Sequence, residues 1–213
     1  MKTETKNKAV YFLKNIMYIN LTNLCTNNCV FCLRNYSNTV GGVNLWLDNK
    51  DPSPEEVIEE IQNNSPETRD EIVFCGYGEP LIKLENLKKI ALFIKQNYSN
   101  VPVRINSNGQ ANLIHKRNIV PEITGLVDKI SISLNADNPD LYQELSQSKF
   151  KKEIVYDEIK FFISECAKNG IETTATVVTG FKNYSINVEN CKKIALELGA
   201  KFKIREWLES GYS

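Results

Sequence analysis

Apolar and polar positions along this chain follow two alternating rhythms. Short runs rich in Ile, Val, Thr and aromatic residues recur at 15–22 (NIMYINLT), 71–76, 101–109, 128–136, 171–178 and 201–208. Each is bounded by polar residues or Gly, which predicts strands. Between them, apolar residues at helical spacing mark 53–64, 84–98, 112–123, 155–170 and 187–199, with 112–123 the weakest. The first of these helices opens on Ser53, Pro54 and two early glutamates, and the fourth stops on Asn169-Gly170, as helix start and stop chemistry demands. Strands that alternate with helices of ten or more residues argue for a parallel sheet with right-handed crossovers. Six such units are too few for an eight-stranded barrel. The choices are an open doubly wound sheet or a partial (β/α)6 barrel, and both place ligands beyond the carboxyl ends of their strands.

No internal repeat or low-complexity linker divides the chain, so residues 1–213 are expected to form one domain. Residues 33–52 (LRNYSNTVGGVNLWLDNKDP) fit neither rhythm, and an irregular connection of that length in a compact domain is usually functional. Arg34, Asn35, Tyr36, Asn44 and Trp46 offer charge, hydrogen bonds and aromatic surface there. A self-packed surface loop built on Leu45, Trp46 and Leu47 is an equally good reading.

Composition narrows the partners. With 42% apolar residues the chain can bury a sizeable core, and 26 basic residues balance 26 acidic ones. A net charge of zero gives no electrostatic argument for nucleic acid or lipid headgroups as main partner. The first eight residues are polar, with no apolar leader region, and no run approaches the roughly 18 apolar residues of a membrane span. A cytoplasmic protein without a membrane partner is expected. In a reducing compartment, clustered thiols indicate metal or catalytic chemistry before disulfides.

Three of the six cysteines, Cys25, Cys29 and Cys32, fall within eight positions directly after the first strand. The other three, Cys75, Cys166 and Cys191, are scattered and read as small core residues. Structural zinc sites normally take four ligands; the one histidine, His115, is remote, and Cys75, a possible fourth ligand, lies on a strand that looks buried. A Cys29–Cys32 redox pair leaves Cys25 without a role. A [4Fe–4S] cube normally takes four thiolates, so three would leave one iron open to a small-molecule ligand. An open coordination position is what catalytic metal sites keep.

The C-x3-C-x2-C spacing after a first strand resembles the radical S-adenosylmethionine superfamily, with Phe31 at that motif's aromatic position. After the second strand, Cys75-Gly76-Tyr77-Gly78-Glu79-Pro80 is similar to the family's Gly-Gly-Glu-Pro turn, although Tyr77 stands where the first Gly is expected. The resemblance spans essentially the whole chain and implies a partial (β/α)6 TIM-like barrel of parallel strands. It implies a [4Fe–4S] cluster on the three cysteines, with S-adenosylmethionine on the open iron. Its reductive cleavage would yield a 5′-deoxyadenosyl radical that abstracts hydrogen from a substrate. The resemblance assigns the cofactor's amino group to Gly76, Tyr77, Gly78 and Glu79, and its ribose or carboxylate to Ser133 and Asn135. Asn108, in an Asn-Gly turn, would line the site, and Val177 and Val178 would pack on adenine, with core packing an equally good reading of both. It also implies an external one-electron donor of flavodoxin or ferredoxin type. The 33–48 segment further resembles a small TatD-associated subgroup. Arg205, charged within a strand-like run, is a candidate for a substrate carboxylate or phosphate. An open barrel side would suit a macromolecular substrate. The alternative from another class is a non-catalytic iron–sulfur electron carrier or sensor.

Overall fold

The computed structural model describes residues 9–48, 50–208 and 211–212; the polar start at 1–8 lies outside the described residues. A hairpin opens the chain, β1 (Val10–Leu13) and β2 (Ile16–Ile19), turned by Lys14 at φ 55°. A small hairpin follows, β3 (Thr39–Val40) and β4 (Val43–Asn44), and then α1 (Pro54–Gln62). Strands and helices then alternate: β5 (Glu71–Phe74), α2 (Leu84–Asn97), β6 (Val103–Ser107), α3 (Ala111–His115), α4 (Val120–Ile123) and β7 (Lys129–Ser133). The remainder is α5 (Pro139–Ser146), α6 (Lys152–Lys168), β8 (Glu172–Thr179), α7 (Val188–Glu197), β9 (Lys201–Leu208) and β10 (Gly211–Tyr212).

Eight strands form one sheet in the order β1-β2-β5-β6-β7-β8-β9-β10. From β2 to β9 every neighbouring pair is parallel, while β1 and β10 flank this set antiparallel. This is the expected six-unit α/β architecture with an antiparallel strand added at each edge. Period-two alternation sorts the faces. On β6, Val103 and Ile105 are fully buried in the core while Arg104 and Asn106 are half-buried; on β7, Ile130 and Ile132 are buried while Lys129, Ser131 and Ser133 are half-buried. The first set packs under the helices and the second faces the concave side. Large apolar side chains such as Phe74, Tyr142 and Phe162 fill the layer between sheet and helices.

Local chemistry explains the helix ends. Ser53 and Glu56 form a reciprocal capping box on α1, and Asn138 caps α5 by accepting from the Leu141 N–H. Such caps contribute about 0.5–2 kcal/mol each. Three expectations change. The 112–123 helix is two short helices, because Lys116 turns left-handed at φ 56° and ends α3. Strand β1 and helix α5 carry local signals, VYFL and Asn138-Pro139, that the periodic reading passed over. Cys166 and Cys191 are buried core residues as expected, but Cys75 is only half-buried and lies on the wall of a cavity.

The irregular 33–52 segment is a folded cover. Leu45 and Leu47 are buried, and Leu33, Leu45, Tyr11 and Tyr77 form a second small apolar cluster, with Trp207 of β9 packed against it. The Trp207 indole N–H donates to the Phe31 carbonyl at 3.0 Å, and its ring meets Tyr36 edge-on at 5.4 Å. Segment 31–47 therefore packs on β1 at one edge of the sheet and on β9 next to the other.

Candidate active site

The cysteine loop leaves β2 and is fastened from below. Backbone bonds tie Asn28 to Ser146, Val30 to Leu145 and Lys149 to Thr26. Beneath it lies a buried polar network. The Gln110 amide, fully buried after β6, donates to Asn27 Oδ1 at 2.6 Å and to the Tyr142 hydroxyl at 2.8 Å. Its carbonyl accepts from Ser148. Buried polar groups cost free energy unless paired, so this satisfied network holds the loop in one geometry. Arg34, Asn35 and Tyr36 serve the same loop: their side chains donate to the carbonyls of Asn27, Cys29 and Val30.

Cys25, Cys29 and Cys32 line a cavity of about 130 Å³ together with Phe31, Asn108, Ser133, Asn135, Val178 and Arg205. Burial pushes all three thiols up, Cys29 to about 12, since an apolar setting disfavours the thiolate. Cationic metal centres would supply the missing compensation. Among the described residues no three His, Cys, Asp or Glu side chains converge closely enough to hold a single metal ion.

The Gly76–Glu79 turn follows β5 and lies directly against the loop leaving β2. A Cβ on Gly76 would overlap the Asn20 side chain. One on Gly78 would overlap the Thr22 carbonyl and stand 2.6 Å from the Leu24 carbonyl. Glycine is required here by backbone close to backbone. Glu79 closes the turn from inside. It accepts from Ser107 Oγ at 3.0 Å, from the Asn108 N–H at 2.7 Å and from the Leu81 N–H at 3.1 Å. It thereby clamps the β5 turn to the β6 turn. Burial pushes its carboxyl up to about 7 against those three donors, and a cationic ligand would favour the ionised form.

These residues line a second cavity of about 300 Å³ with Cys25, Cys32, Ser133 and Arg205. Asn108 donates to Thr26 Oγ1 at 2.8 Å and points its amide at Cys25 Sγ, 3.8 Å away. Asn135 sits left-handed at φ 59°, is 2% exposed, and its Oδ1 has no partner among the described residues. A strained residue with an orphaned buried acceptor on a cavity wall is a ligand signature. The donor set and this acceptor fit an iron–sulfur cluster bearing a polar cofactor.

The structure thus gathers Phe31, Gly76, Tyr77, Gly78, Glu79, Asn108, Ser133, Asn135 and Arg205 around the three thiols. Of the two candidate valines, Val178 lines the cavity, whereas Val177, on the opposite face of β8, is fully buried in the core. Arg34, Asn35, Tyr36 and Trp46 are outside both cavity walls and brace the loop instead. The Trp46 ring meets Tyr77 at 5.1 Å and its N–H donates to Asn38; Asn44 accepts from the Trp46 backbone N–H. The sequence puts Ser131 on the polar face of its strand without giving it a place in the site, and gives no place to Asn106, which alternates with the buried Ile105 on β6. The sequence reading missed Tyr11, Leu13, Tyr18, Val40 and Leu45, whose place on a cavity wall had no sequence signal.

A curved parallel sheet with three thiols after its first parallel strand and a glycine turn after its second defines a class of cluster-bearing barrel. The sequence profile of the Radical SAM superfamily matches residues 19–195, and the chain belongs to that family. Its described core is the family's partial (β/α)6 barrel. The chain is 29% identical over 119 residues to an uncharacterized protein of Methanocaldococcus jannaschii, covering 56% of this chain and 38% of that one. It is 24% identical over 207 residues to the dual-specificity RNA methyltransferase RlmN of Buchnera aphidicola subsp. Schizaphis graminum, covering 86% and 51%. The chain therefore spans about half or less of the length of these relatives. Among solved structures, SuiB of Streptococcus suis superposes with a TM-score of 0.60 at 14% identity, over 93% of this chain and 40% of that one. Methylornithine synthase (PylB) gives 0.59 at 12% identity, over 90% and 52%. Among the described residues no helix is long and apolar enough to cross a membrane.

Proposed function

We propose that residues 1–213 act as a single radical S-adenosylmethionine core domain, an enzyme of the cytoplasm. Cys25, Cys29 and Cys32 would hold a [4Fe–4S] cluster, and S-adenosylmethionine would take the open iron. The observation that carries this reading is two adjoining cavities that share Cys25, Cys32, Asn108, Ser133 and Arg205: the Gly76–Glu79 turn lines one, and Cys29 and the Asn135 acceptor line the other. When bound, cluster and cofactor supply a 5′-deoxyadenosyl radical that abstracts hydrogen from a substrate. The chain's own residues bind and orient. Glu79 and the turn carbonyls would receive the ammonium, charge against charge. Ser133 and Asn135 would bond the ribose or carboxylate. The Phe31 backbone and the Val178 side chain would lie beside the adenine. Arg205 would face the cofactor or substrate from β9.

An external electron donor of flavodoxin or ferredoxin type would reduce the cluster. The likeness of 33–48 to the TatD-associated subgroup belongs to this proposal. A macromolecular substrate that docks at the barrel opening belongs to it too. The RNA substrate in the name of a relative at 24% identity is not carried over.

The test is anaerobic reconstitution with iron and sulfide, reduction by dithionite, addition of S-adenosylmethionine and assay of 5′-deoxyadenosine. Product that disappears in Cys29→Ala is expected. A reduced, intact cluster with no affinity for S-adenosylmethionine overturns the enzyme reading in favour of an electron carrier.

A further inference from the structure

Below the cofactor residues, the larger cavity continues into a part of the lumen that the reading above leaves empty. Its two sides differ in chemistry. One side is apolar and built by the cover: Leu13 from β1, Val40 from the small hairpin, Leu33 and Leu45. This side is pinned. The Tyr77 hydroxyl donates to the Ser37 carbonyl at 2.6 Å, Asn20 Nδ2 donates to the Leu45 carbonyl at 2.6 Å, and Asn23 exchanges two bonds with Leu47.

The other side is polar and uncharged. Asn106 and Ser131 stand side by side in the parallel register of β6 and β7, and Ser133 follows two residues on. The hydroxyls of Ser131 and Ser133 make no hydrogen bond among the described residues. Asn106 is oriented from beneath: the Arg104 guanidinium donates to its Oδ1. Its Nδ2 therefore points the other way, a donor with no acceptor among the described residues. Arg104 is itself held by Glu71 at 2.8 Å, and Lys129 reaches the same carboxylate at 3.3 Å. Two cations against one carboxylate leave the floor positive. Donors over a positive floor select an anionic acceptor.

We propose that this annex is the substrate subsite, and that the substrate is a small carboxylate with a hydrocarbon body. Its carboxylate oxygens accept from Asn106 Nδ2 and Ser131 Oγ. Its hydrocarbon lies along Leu13, Val40 and Leu45 and presents its C–H bonds upward toward the cofactor. A total cavity of about 300 Å³ lies at the bottom of the range of about 300–1,000 Å³ for ligand pockets, which limits the part that enters. The proposal rests on the radical S-adenosylmethionine reading for its chemistry, but the binding site stands on its own geometry.

The probes are hexanoate, phenylacetate and uncharged hexanamide, measured by ligand-detected NMR on the cluster-reconstituted full chain with S-adenosylmethionine. Hexanoate and phenylacetate are expected to bind and to compete with each other, at least fivefold more tightly than hexanamide. Asn106→Leu should weaken hexanoate tenfold or more. Val40→Asp, on the surface hairpin where folding is less at stake, should do the same by placing a like charge on the apolar wall. Failure of both acids to bind overturns the proposal. So does amide binding as tight as the acid, or insensitivity of hexanoate to Val40→Asp. S-adenosylmethionine affinity, measured in parallel by equilibrium dialysis, separates the two readings. Cofactor binding without acid binding sinks only the annex, and acid binding without cofactor binding sinks only the radical chemistry.

Discussion

Gln110→Leu removes the centre of the network that fixes the cysteine loop while nearly keeping the side-chain volume. Gln110 makes three side-chain bonds, to Asn27 at 2.6 Å, Tyr142 at 2.8 Å and Ser148 at 3.3 Å. Tyr142 keeps its contact with the Asn27 amide. Asn27 Oδ1 loses its donor and the Ser148 hydroxyl its acceptor, and these residues are only 5% and 7% exposed. Each orphaned buried group costs about 1–3 kcal/mol. Some of this is offset because leucine carries no amide to desolvate, which leaves a net loss of about 2–4 kcal/mol. Urea unfolding of the cluster-free protein, with a slope of about 1–3 kcal/mol per molar, should show a midpoint lower by about 1 M or more. Because the network lies under the cysteine loop, iron bound per chain after reconstitution should fall as well. A loss under 1 kcal/mol with full iron binding would refute the claim that this network holds the loop.

Gly78→Ala should lose about 1–3 kcal/mol of stability, because its methyl group meets the Thr22 and Leu24 carbonyls and backbone must shift; cofactor affinity should drop at least tenfold, and an unchanged calorimetric midpoint and affinity would show that the turn is not so tightly placed. Tyr77→Phe removes only the hydroxyl bonded to Ser37, worth about 0.5–1.5 kcal/mol; hydrogen exchange should quicken at 37–45 and stay unchanged in β6 and β7. Burial raises the Glu79 carboxyl to about 7, so the free protein holds a proton there that an ammonium-bound complex releases. S-adenosylmethionine affinity should then fall as pH drops below about 7, by up to tenfold per pH unit, and a flat profile from pH 8 to pH 6 would exclude Glu79 as the ammonium partner. The same raised value means that the free protein loses stability as pH rises from the ordinary carboxylate range toward 7.

The chain's own patterning determined the six βα units, since a strand's period of two and a helix's period of 3.6 are written in local spacing. It also determined the three-thiol loop and the Gly78–Glu79 turn, because each follows a strand and so falls at the ligand face. Short elements escaped where the local pattern was four residues long, as in β1, or where a single left-handed residue such as Lys116 broke a helix. Tertiary structure decided the rest. Val178 instead of Val177 faces the cavity because strand register selects one of two adjacent valines. Arg34, Asn35, Tyr36 and Trp46 lie close to the cysteines in sequence yet brace the loop, because backbone carbonyls within reach claim their donors. Asn106 and Ser131 become neighbours only through the pairing of β6 with β7, some 25 residues apart in the chain. The packing of segment 31–47 on β9 depends on contacts from Phe31 to Trp207, a separation of 176 residues, and no local pattern encodes a contact at that distance.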